Sequence, residues 1–237
     1  MEKYNTSAKI NWKVALSFVV YLLVQPLILF TAAGSLDWVM GWVFIGVAII
    51  FSVVSRLLVM RKHPDLITER SRFHDKKLEG VKVWDRAIVA VIAIFGPVVA
   101  IVVAGLDQRF GWSPAISVGL QLLALMFVVL GLLLGTWAML ENKFFSAVVR
   151  IQKDRNQTVI TTGPYRFLRH PAYAGGTITI MAIPLVLNSL WALIPAGLIV
   201  VVYVIRTILE DKTLLNELEG YREYAGRVRY RLLPKVW

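Results

Sequence analysis

The sequence predicts an all-α integral membrane protein with about six transmembrane helices, the last two of them a short hairpin. Two observations favour this fold class. Of the 237 residues, 57% are hydrophobic and 17% are charged, and the mean hydropathy is +0.65. Soluble domains contain about 45–50% apolar and about 25% charged residues, so both values indicate contact with lipid. The apolar residues are also grouped into six runs, which leave little room for a separate soluble domain.

The first four apolar runs cover residues 14–33, 38–60, 87–106 and 115–140. Each is long enough for a membrane-spanning helix, which needs about 20 residues. The first run is longer than the core of a signal peptide and is interrupted by Gln25-Pro26, so it is predicted to be a retained helix. These four helices form the first predicted region, residues 1–140.

Two shorter runs follow at residues 173–187 and 190–205, separated by Asn188 and Ser189. Because each is shorter than a normal crossing, the pair is predicted to be a tilted or partly inserted hairpin. This hairpin belongs to a second region, residues 141–237, which ends in a basic amphipathic segment. No linker separates the two regions, so they are expected to form a single integrated domain.

The net charge of +11 follows the predicted topology. All but one of the 26 lysines and arginines fall in four segments that the helix count places on one side of the membrane: residues 3–13, 56–86, 143–169 and 206–235. The exception is Arg109. By the positive-inside rule, both termini are predicted to be cytoplasmic. The basic excess is therefore a topology signal that also attracts anionic lipids, and nucleic acid is not an expected partner.

Several kinds of site are excluded by residue types that are missing or dispersed. The chain has no cysteine, which excludes disulfides, thiolate zinc sites and thiol catalysis. Its three histidines, His63, His74 and His170, are far apart and lack ligand spacing, so no metal site is predicted. The sequence also lacks dinucleotide-binding, Walker and Ser-His-Asp signatures.

The connector between the second and third apolar runs, residues 61–86, mixes basic and acidic residues. It is interpreted as a solvated segment on the lipid headgroups, with a gate for lateral access to a site as the alternative. Just before it, Arg56 lies one turn from the cytoplasmic end of its helix, where a long side chain can extend its charge to the headgroups.

The most informative stretch is residues 161–176, which contains Gly163-Pro164-Tyr165-Arg166 and then Arg169-His170-Pro171-Ala172-Tyr173. Gly-Pro favours a turn, and Pro171 suits the first turn of the helix that follows. Two arginines, a histidine and exposed backbone donors therefore meet at a helix N-terminus, which suits a carboxylate or phosphate. A membrane-entry loop with interfacial arginine and tyrosine is the alternative.

A second cluster stands at the end of the last apolar run. Arg206 and Glu210 are four residues apart, so they share one face of a helix. The two residues fit either an ordinary surface ion pair or a site that binds a ligand with two charges.

Together these motifs resemble the isoprenylcysteine carboxyl methyltransferase family, and Asn142-Lys143-Phe144-Phe145-Ser146 resembles its bacterial branch. The similarity covers roughly residues 143–237. Besides the two motifs of residues 161–176, it includes, in the family's order, Arg206-x-x-x-Glu210, Tyr221-x-x-Tyr224 and Arg229-Tyr230-Arg231-Leu232-Leu233-Pro234.

The resemblance implies an S-adenosylmethionine-dependent methyltransferase with a cytoplasmic C-terminal cofactor-binding region, a lipophilic acceptor and a bacterial inner membrane location. By position, the implied cofactor contacts are Gln152, Gln157, Thr158, Val159, Ile160, Tyr165, His170, Pro171, Ala172, Tyr173 and Glu210. Arg206 matches the family's substrate-side arginine, and Arg206 and Glu210 are the implied catalytic residues. The chain departs from the family at Gln157, where relatives often have histidine, and aligning residues 150–157 requires a small gap.

Under this interpretation Arg206 holds an acceptor carboxylate, such as that of an isoprenylcysteine-like substrate, through charge-assisted hydrogen bonds. Glu210 accepts hydrogen bonds from the ammonium or ribose of the cofactor. The sulfonium is already a good leaving group, so the protein mainly has to align the reactants, and alignment can contribute about 7–11 kcal/mol.

Three alternatives stay open at the level of sequence. A phospholipid or other lipid N- or O-methyltransferase shares the His-Pro and acidic signatures, and an amine acceptor would not need Arg206 as a carboxylate clamp. An NADPH-dependent sterol-type reductase also carries Arg-His-Pro-x-Tyr, although such chains are generally longer. A membrane scaffold or transporter is the third alternative, but the sequence lacks the repeated halves of many transporters.

Overall fold

A computed structural model of the protein describes residues 12–71 and 78–237, and this part of the chain contains helices but no strands. The helices are α1 (Trp12–Ala33), α2 (Val39–Lys62), α3 (Pro64–Ser71), α4 (Asp85–Phe110), α5 (Val118–Glu141), α6 (Pro171–Val186), α7 (Leu193–Glu217) and α8 (Tyr221–Arg227). Several residues used in the sequence argument lie outside the described residues, namely Lys3, Lys9, Arg72, His74, Lys76 and Lys77.

Within the described residues, five helices are long and apolar enough to cross a membrane: α1, α2, α4, α5 and α7. This confirms the predicted all-α membrane fold, but the prediction of a short final hairpin is wrong for its second helix. Helix α7 has 25 residues and continues past the apolar run to Glu217. The apolar run ends at Ile205, directly before the polar residues Arg206, Thr207 and Asp211. The helix continues through them because their side chains are buried against other parts of the protein.

Helix α6 has only 16 residues, which corresponds to about 24 Å at 1.5 Å per residue. It nevertheless reaches the same end of the bundle as its longer neighbours. The loop after it is tied to the end of α4 and to the loop before α5. Ser189 Oγ donates to Asp107 Oδ2 at 2.6 Å, and the Ile116 amide donates to Asn188 Oδ1 at 2.6 Å. The short connections thus gather at one end, and the basic segments lie at the other as far as the structure describes them, over residues 56–71, 78–86, 143–169 and 206–235.

The backbones of α5 and α6 approach closely at two glycines, Gly131 and Gly175. A Cβ atom built on Gly131 would lie 2.5 Å from the carbonyl oxygen of Gly175, which is closer than real Cβ atoms come to backbone. Small residues at such crossings let membrane helices pack backbone to backbone. This contact holds the start of α6, which follows the His-Pro motif, against the middle of α5.

Gly131→Ala is expected to destabilise the protein by about 1–3 kcal/mol, because the new methyl group overpacks a backbone contact. A chain of this size then loses about 2–12 °C in melting temperature. Thermal unfolding of the detergent-purified protein measures the change. Gly119→Ala in the same helix is the control, since its Cβ would meet nothing within 4 Å. Equal melting temperatures for the two variants would contradict the close approach.

Helix α4 contains one π turn, Val91–Phe95, directly before Gly96 and Pro97. Proline has no N–H to donate to the preceding turn, and its ring crowds the carbonyl four residues earlier. A widened turn relieves that crowding, and such turns are frequent at functional sites. Gly96 lets α4 approach α7, since a Cβ there would lie 2.6 Å from Ile199 Cγ1. Gly96 thus brings the end of the π turn beside α7, and within the turn Ile92 is buried while Val91, Ile94 and Phe95 are exposed.

The connector after α2 is not a solvated segment throughout, which corrects the sequence interpretation. Its first part forms α3, where Leu66 is fully buried and Glu69 is buried. Glu69 is bound by Arg150, whose Nε and Nη2 donate to it at 3.0 Å each. Leu78 and Asp85 are also buried. The connector thus packs under the segment that follows α5.

Candidate active site

A cavity of about 510 Å³ lies at the basic end of the bundle, between the ends of α4, α5, α6 and α7 and the segment that joins α5 to α6. It brings together every site residue proposed from the sequence. They are Gln152, Gln157, Thr158, Val159, Ile160, Tyr165, His170, Pro171, Ala172, Tyr173, Arg206 and Glu210. Their individual roles stay predictions, but their shared location makes this cavity the candidate active site.

The His-Pro loop is held in place by the chain that follows α8. The Arg169 amide donates to the Tyr230 carbonyl at 2.9 Å, and the His170 amide donates to the Arg231 carbonyl at 3.0 Å. Pro171 then begins α6, where its missing N–H costs no helical hydrogen bond. Because both loop amides are bonded to backbone, they are not free to bind a ligand.

Asp211, one turn beyond Arg206 on α7, links these segments and is 1% exposed. Three nitrogen atoms lie close to its carboxylate oxygens: Arg169 Nη1 at 3.0 Å, His170 Nε2 at 3.3 Å and Arg231 Nε at 2.9 Å. The Tyr221 hydroxyl donates to it at 3.0 Å. Burial, and then the charge of Asp211, raise the pKa of Tyr221, so this phenol stays protonated. The carboxylate that the His-Pro segment binds in this structure is therefore one of the protein's own.

One wall of the cavity is built around Tyr173 in the first turn of α6. Its hydroxyl donates to Glu210 Oε2. The guanidinium carbon of Arg206 lies 5.2 Å from the Tyr173 ring centroid, and the His170 ring stacks on the Tyr173 ring with their centroids 5.6 Å apart. Among the described residues Glu210 accepts no other hydrogen bond, so Oε1 is left for a ligand.

Arg206 does not form the surface ion pair with Glu210 that one sequence interpretation allowed. It is 7% exposed, and its Nε and Nη2 donate to Asp85 Oδ1 and Oδ2 at 2.8 and 3.1 Å. Nη2 also donates to the Ala147 carbonyl at 3.1 Å. Asp85 is fully buried at the start of α4. Among the described residues no acceptor contacts Nη1, so one edge of Arg206 can still reach a ligand.

The opposite wall comes from residues 152–160. The Gln152 side chain is occupied at both ends, since Nε2 donates to the Phe144 carbonyl at 2.6 Å and Oε1 accepts from Arg155 at 2.7 Å. Gln157 Oε1 accepts the Gln152 amide at 2.7 Å. Among the described residues, no backbone hydrogen bond involves residues 158–160. The two glutamines thus shape the loop, and its unpaired backbone groups border the cavity.

Tyr165 closes the cavity beside this loop and is buried. Asn142 Nδ2 donates to its hydroxyl at 3.3 Å, and the Tyr224 hydroxyl donates to its carbonyl at 2.7 Å. Burial raises the pKa values of Tyr165 and Tyr224, which keeps both phenols neutral. Tyr165 is therefore a fixed, uncharged surface on which a ligand can lie.

A second cavity of about 600 Å³ lies deeper among the helices and is lined mainly by apolar side chains. Of the described residues, eight line both cavities: Arg70, Ile92, Ala93, Ile94, Gly135, Met139, Ala172 and Tyr203. The two cavities therefore adjoin, and the π turn of α4 forms part of their common boundary. Both cavities have mainly apolar walls, but the first also carries Gln152, His170, Arg206 and Glu210, which suits a reaction between a polar and a lipophilic molecule.

Three residues at the site were missed at the sequence level: Asp85, Asp211 and Arg70. A lone acid directly before an apolar run is a weak signal for Asp85. Asp211 follows Glu210 in sequence, but nothing local marks it as the partner of four other side chains. Arg70 lies in the connector that was interpreted as solvated.

The fold and the paired cavities indicate an integral membrane protein with a candidate ligand site at one end. Residues 120–220 match the phospholipid methyltransferase family. The matched segment runs from α5 to the end of α7 and contains all twelve proposed site residues. A comparison with curated proteins gave no match. The match indicates a membrane methyltransferase and does not extend to an isoprenylcysteine substrate.

Proposed function

We propose that the protein is an S-adenosylmethionine-dependent methyltransferase that modifies a lipophilic acceptor at the cytoplasmic face of a bacterial inner membrane, with both termini cytoplasmic. The observation that carries the proposal is the gathering of all twelve residues in one cavity, which adjoins a second cavity lined mainly by apolar side chains. The methyltransferase match over the same residues supports it. The basic segments at this end of the bundle support a cytoplasmic location by the positive-inside rule.

The first cavity fits such a cofactor in size and in chemistry. Small-molecule sites enclose about 300–1,000 Å³, and this one encloses about 510 Å³. The free carboxylate oxygen of Glu210 suits an ammonium group, and the unpaired backbone of residues 158–160 offers donors and acceptors. Tyr165 supplies a flat, neutral surface. When bound, the cofactor supplies a methyl carbon that carries a sulfonium leaving group.

The protein's own residues then position the reactants. Glu210 and residues 158–160 orient the donor, and Arg206 Nη1 directs an acceptor oxygen toward the methyl carbon. Tyr173 stands between Glu210 and Arg206 and fixes both by a hydrogen bond and a ring contact. The enclosing helices exclude water from the line of attack. A carboxylate acceptor attacks without losing a proton, whereas a protonated amine must release one first.

Two acceptor classes fit this site. An isoprenylcysteine-like carboxylate would use Arg206 as the substrate-side arginine, with its apolar chain in the second cavity. A phospholipid amine or another lipid group is favoured by the match of residues 120–220 to phospholipid methyltransferases. The acceptor profile of the purified protein separates them.

The test is calorimetric binding of S-adenosylhomocysteine and of NADPH to detergent-purified protein, followed by methyl transfer from labelled S-adenosylmethionine. The acceptors are a farnesylated cysteine derivative with a free carboxylate and phosphatidylethanolamine. Binding of S-adenosylhomocysteine and labelling of either acceptor support the proposal. Binding of NADPH instead would move the protein to the reductases, and binding of neither by folded protein would refute the proposal.

A further inference from the structure

Arg70 stands at the boundary between the two cavities. It lies on α3 and, among the eight described residues that line both cavities, it alone is charged. Its guanidinium carbon lies 5.3 Å from the Phe145 ring centroid. A cation in this place borders the candidate active site on one side and the second cavity on the other.

No carboxylate of the described residues pairs with Arg70. The adjacent acid, Glu69, is bound by Arg150 through two hydrogen bonds of 3.0 Å. Asp85, the acid in the first turn of α4, is bound by Arg206. Burial lowers the pKa of Arg70, and the neighbouring Arg206 and Arg56 lower it further. Arg70 is half-buried. A cation that is partly removed from water and has no carboxylate partner among the described residues would be stabilised by a bound anion.

The second cavity has the same charge asymmetry. Arg56 also lines it, with its guanidinium carbon 4.5 Å from the Phe18 ring centroid. Its lining residues, all described, include these two arginines and no aspartate or glutamate. Arg56 therefore borders a cavity, where the sequence had indicated the lipid headgroups. An apolar cavity with two cations and no acid is complementary to an amphiphile that carries a negative charge.

We propose that Arg70, assisted by Arg56, binds the anionic group of an acidic amphiphile whose apolar chain occupies the second cavity. This inference rests on the proposed function, because the amphiphile would be the acceptor. The anion is either a lipid phosphate or a carboxylate. A phosphate at Arg70 would leave the rest of a headgroup free to extend toward Glu210, whereas a carboxylate would itself lie beside Arg206. Either anion would select acidic over uncharged lipids.

The test measures binding and does not require turnover. Native mass spectrometry titrates the purified full-length protein with three lipids that share one acyl chain: oleoyl lysophosphatidate, oleate and monoolein. Wild-type protein is expected to bind at least one of the two acids about tenfold more tightly than monoolein. The preferred acid identifies the anion as phosphate or carboxylate. Equal binding of all three lipids would refute the inference.

Arg70→Gln is expected to lose this preference and to keep the affinity for monoolein. The matched control is Arg61→Gln, an exposed arginine nearby that lines neither cavity. S-adenosylhomocysteine binding by each variant reports whether the site is folded, and Arg56→Gln is a second variant with a weaker expected loss. An unchanged preference in Arg70→Gln would overturn the assignment. Failure of the methyltransferase proposal would instead appear as absent cofactor binding in the wild-type protein.

Discussion

Glu210→Gln is expected to weaken S-adenosylhomocysteine binding by about 10- to 100-fold, and this is one of the two largest effects predicted. A hydrogen bond to a charged group contributes about 1.5–3 kcal/mol, and the substitution removes the charge that an ammonium group would meet. Glutamine keeps a carbonyl oxygen that can accept the Tyr173 hydroxyl, so the wall of the cavity should persist. Calorimetry of the detergent-purified variant measures the affinity.

Glu217→Gln is the matched control for this measurement. Glu217 lies on the same helix, two turns further along and outside the lining of the cavity, and it pairs with Lys82 at 2.6 Å. Such an exposed pair contributes about 0–1 kcal/mol. The control should therefore bind S-adenosylhomocysteine like the wild-type protein. If Glu210→Gln also did so at an unchanged melting temperature, Glu210 would not be a cofactor ligand.

Arg206→Gln is expected to lower stability as well as acceptor use, because it leaves Asp85 buried without a cation. Breaking a buried ion pair from one side costs about 3–5 kcal/mol, which corresponds to about 6–20 °C in melting temperature for a chain of this size. Asp85 is fully buried, so solvent cannot compensate its charge. Thermal unfolding in detergent measures the loss. Loss of activity in this single variant would not by itself assign Arg206 to the acceptor.

The double variant Asp85→Asn/Arg206→Gln separates the two roles. It removes both charges, and the introduced asparagine would still offer an oxygen to the Val149 amide, which donates to Asp85 at 2.6 Å in the wild type. The double variant should regain much of the melting temperature, as coupled neighbours do. The double variant should still turn over slowly the acceptor that the wild-type protein methylates, if Arg206 also binds that acceptor. Recovery of turnover would mean that Arg206 acts only as the partner of Asp85.

Twelve of the residues that line the first cavity were predicted from the sequence, because the motifs pointed to a family resemblance from which their positions could be carried over. Pro171 marks the start of α6, and Tyr173 and Glu210 occur at fixed offsets within recognisable patterns. The apolar helices were predictable for a different reason, namely that a helix in contact with lipid requires a long run of apolar residues. Local sequence is sufficient for these features.

The partners of those residues were not predictable from local sequence. Asp85 and Arg206 are separated by 121 positions, and their contact exists only after α4 and α7 pack together. The same holds for Asp211, which gathers side chains from three separate segments. The length of α7 was underestimated because its polar half is buried by tertiary contacts, which an apolar run cannot reveal.

The position of Asp211 has a consequence for biosynthesis. The His-Pro loop depends on Asp211 and also on Tyr230 and Arg231. The last two residues are synthesised about 60 residues after the loop. Helices α1 to α6 can therefore leave the ribosome and enter the membrane before the loop has its partners. A released chain truncated after residue 205 should be inserted but unable to bind the cofactor, because it lacks Glu210 and Asp211. We therefore expect membrane insertion and completion of the candidate active site to be separate events in the life of this protein.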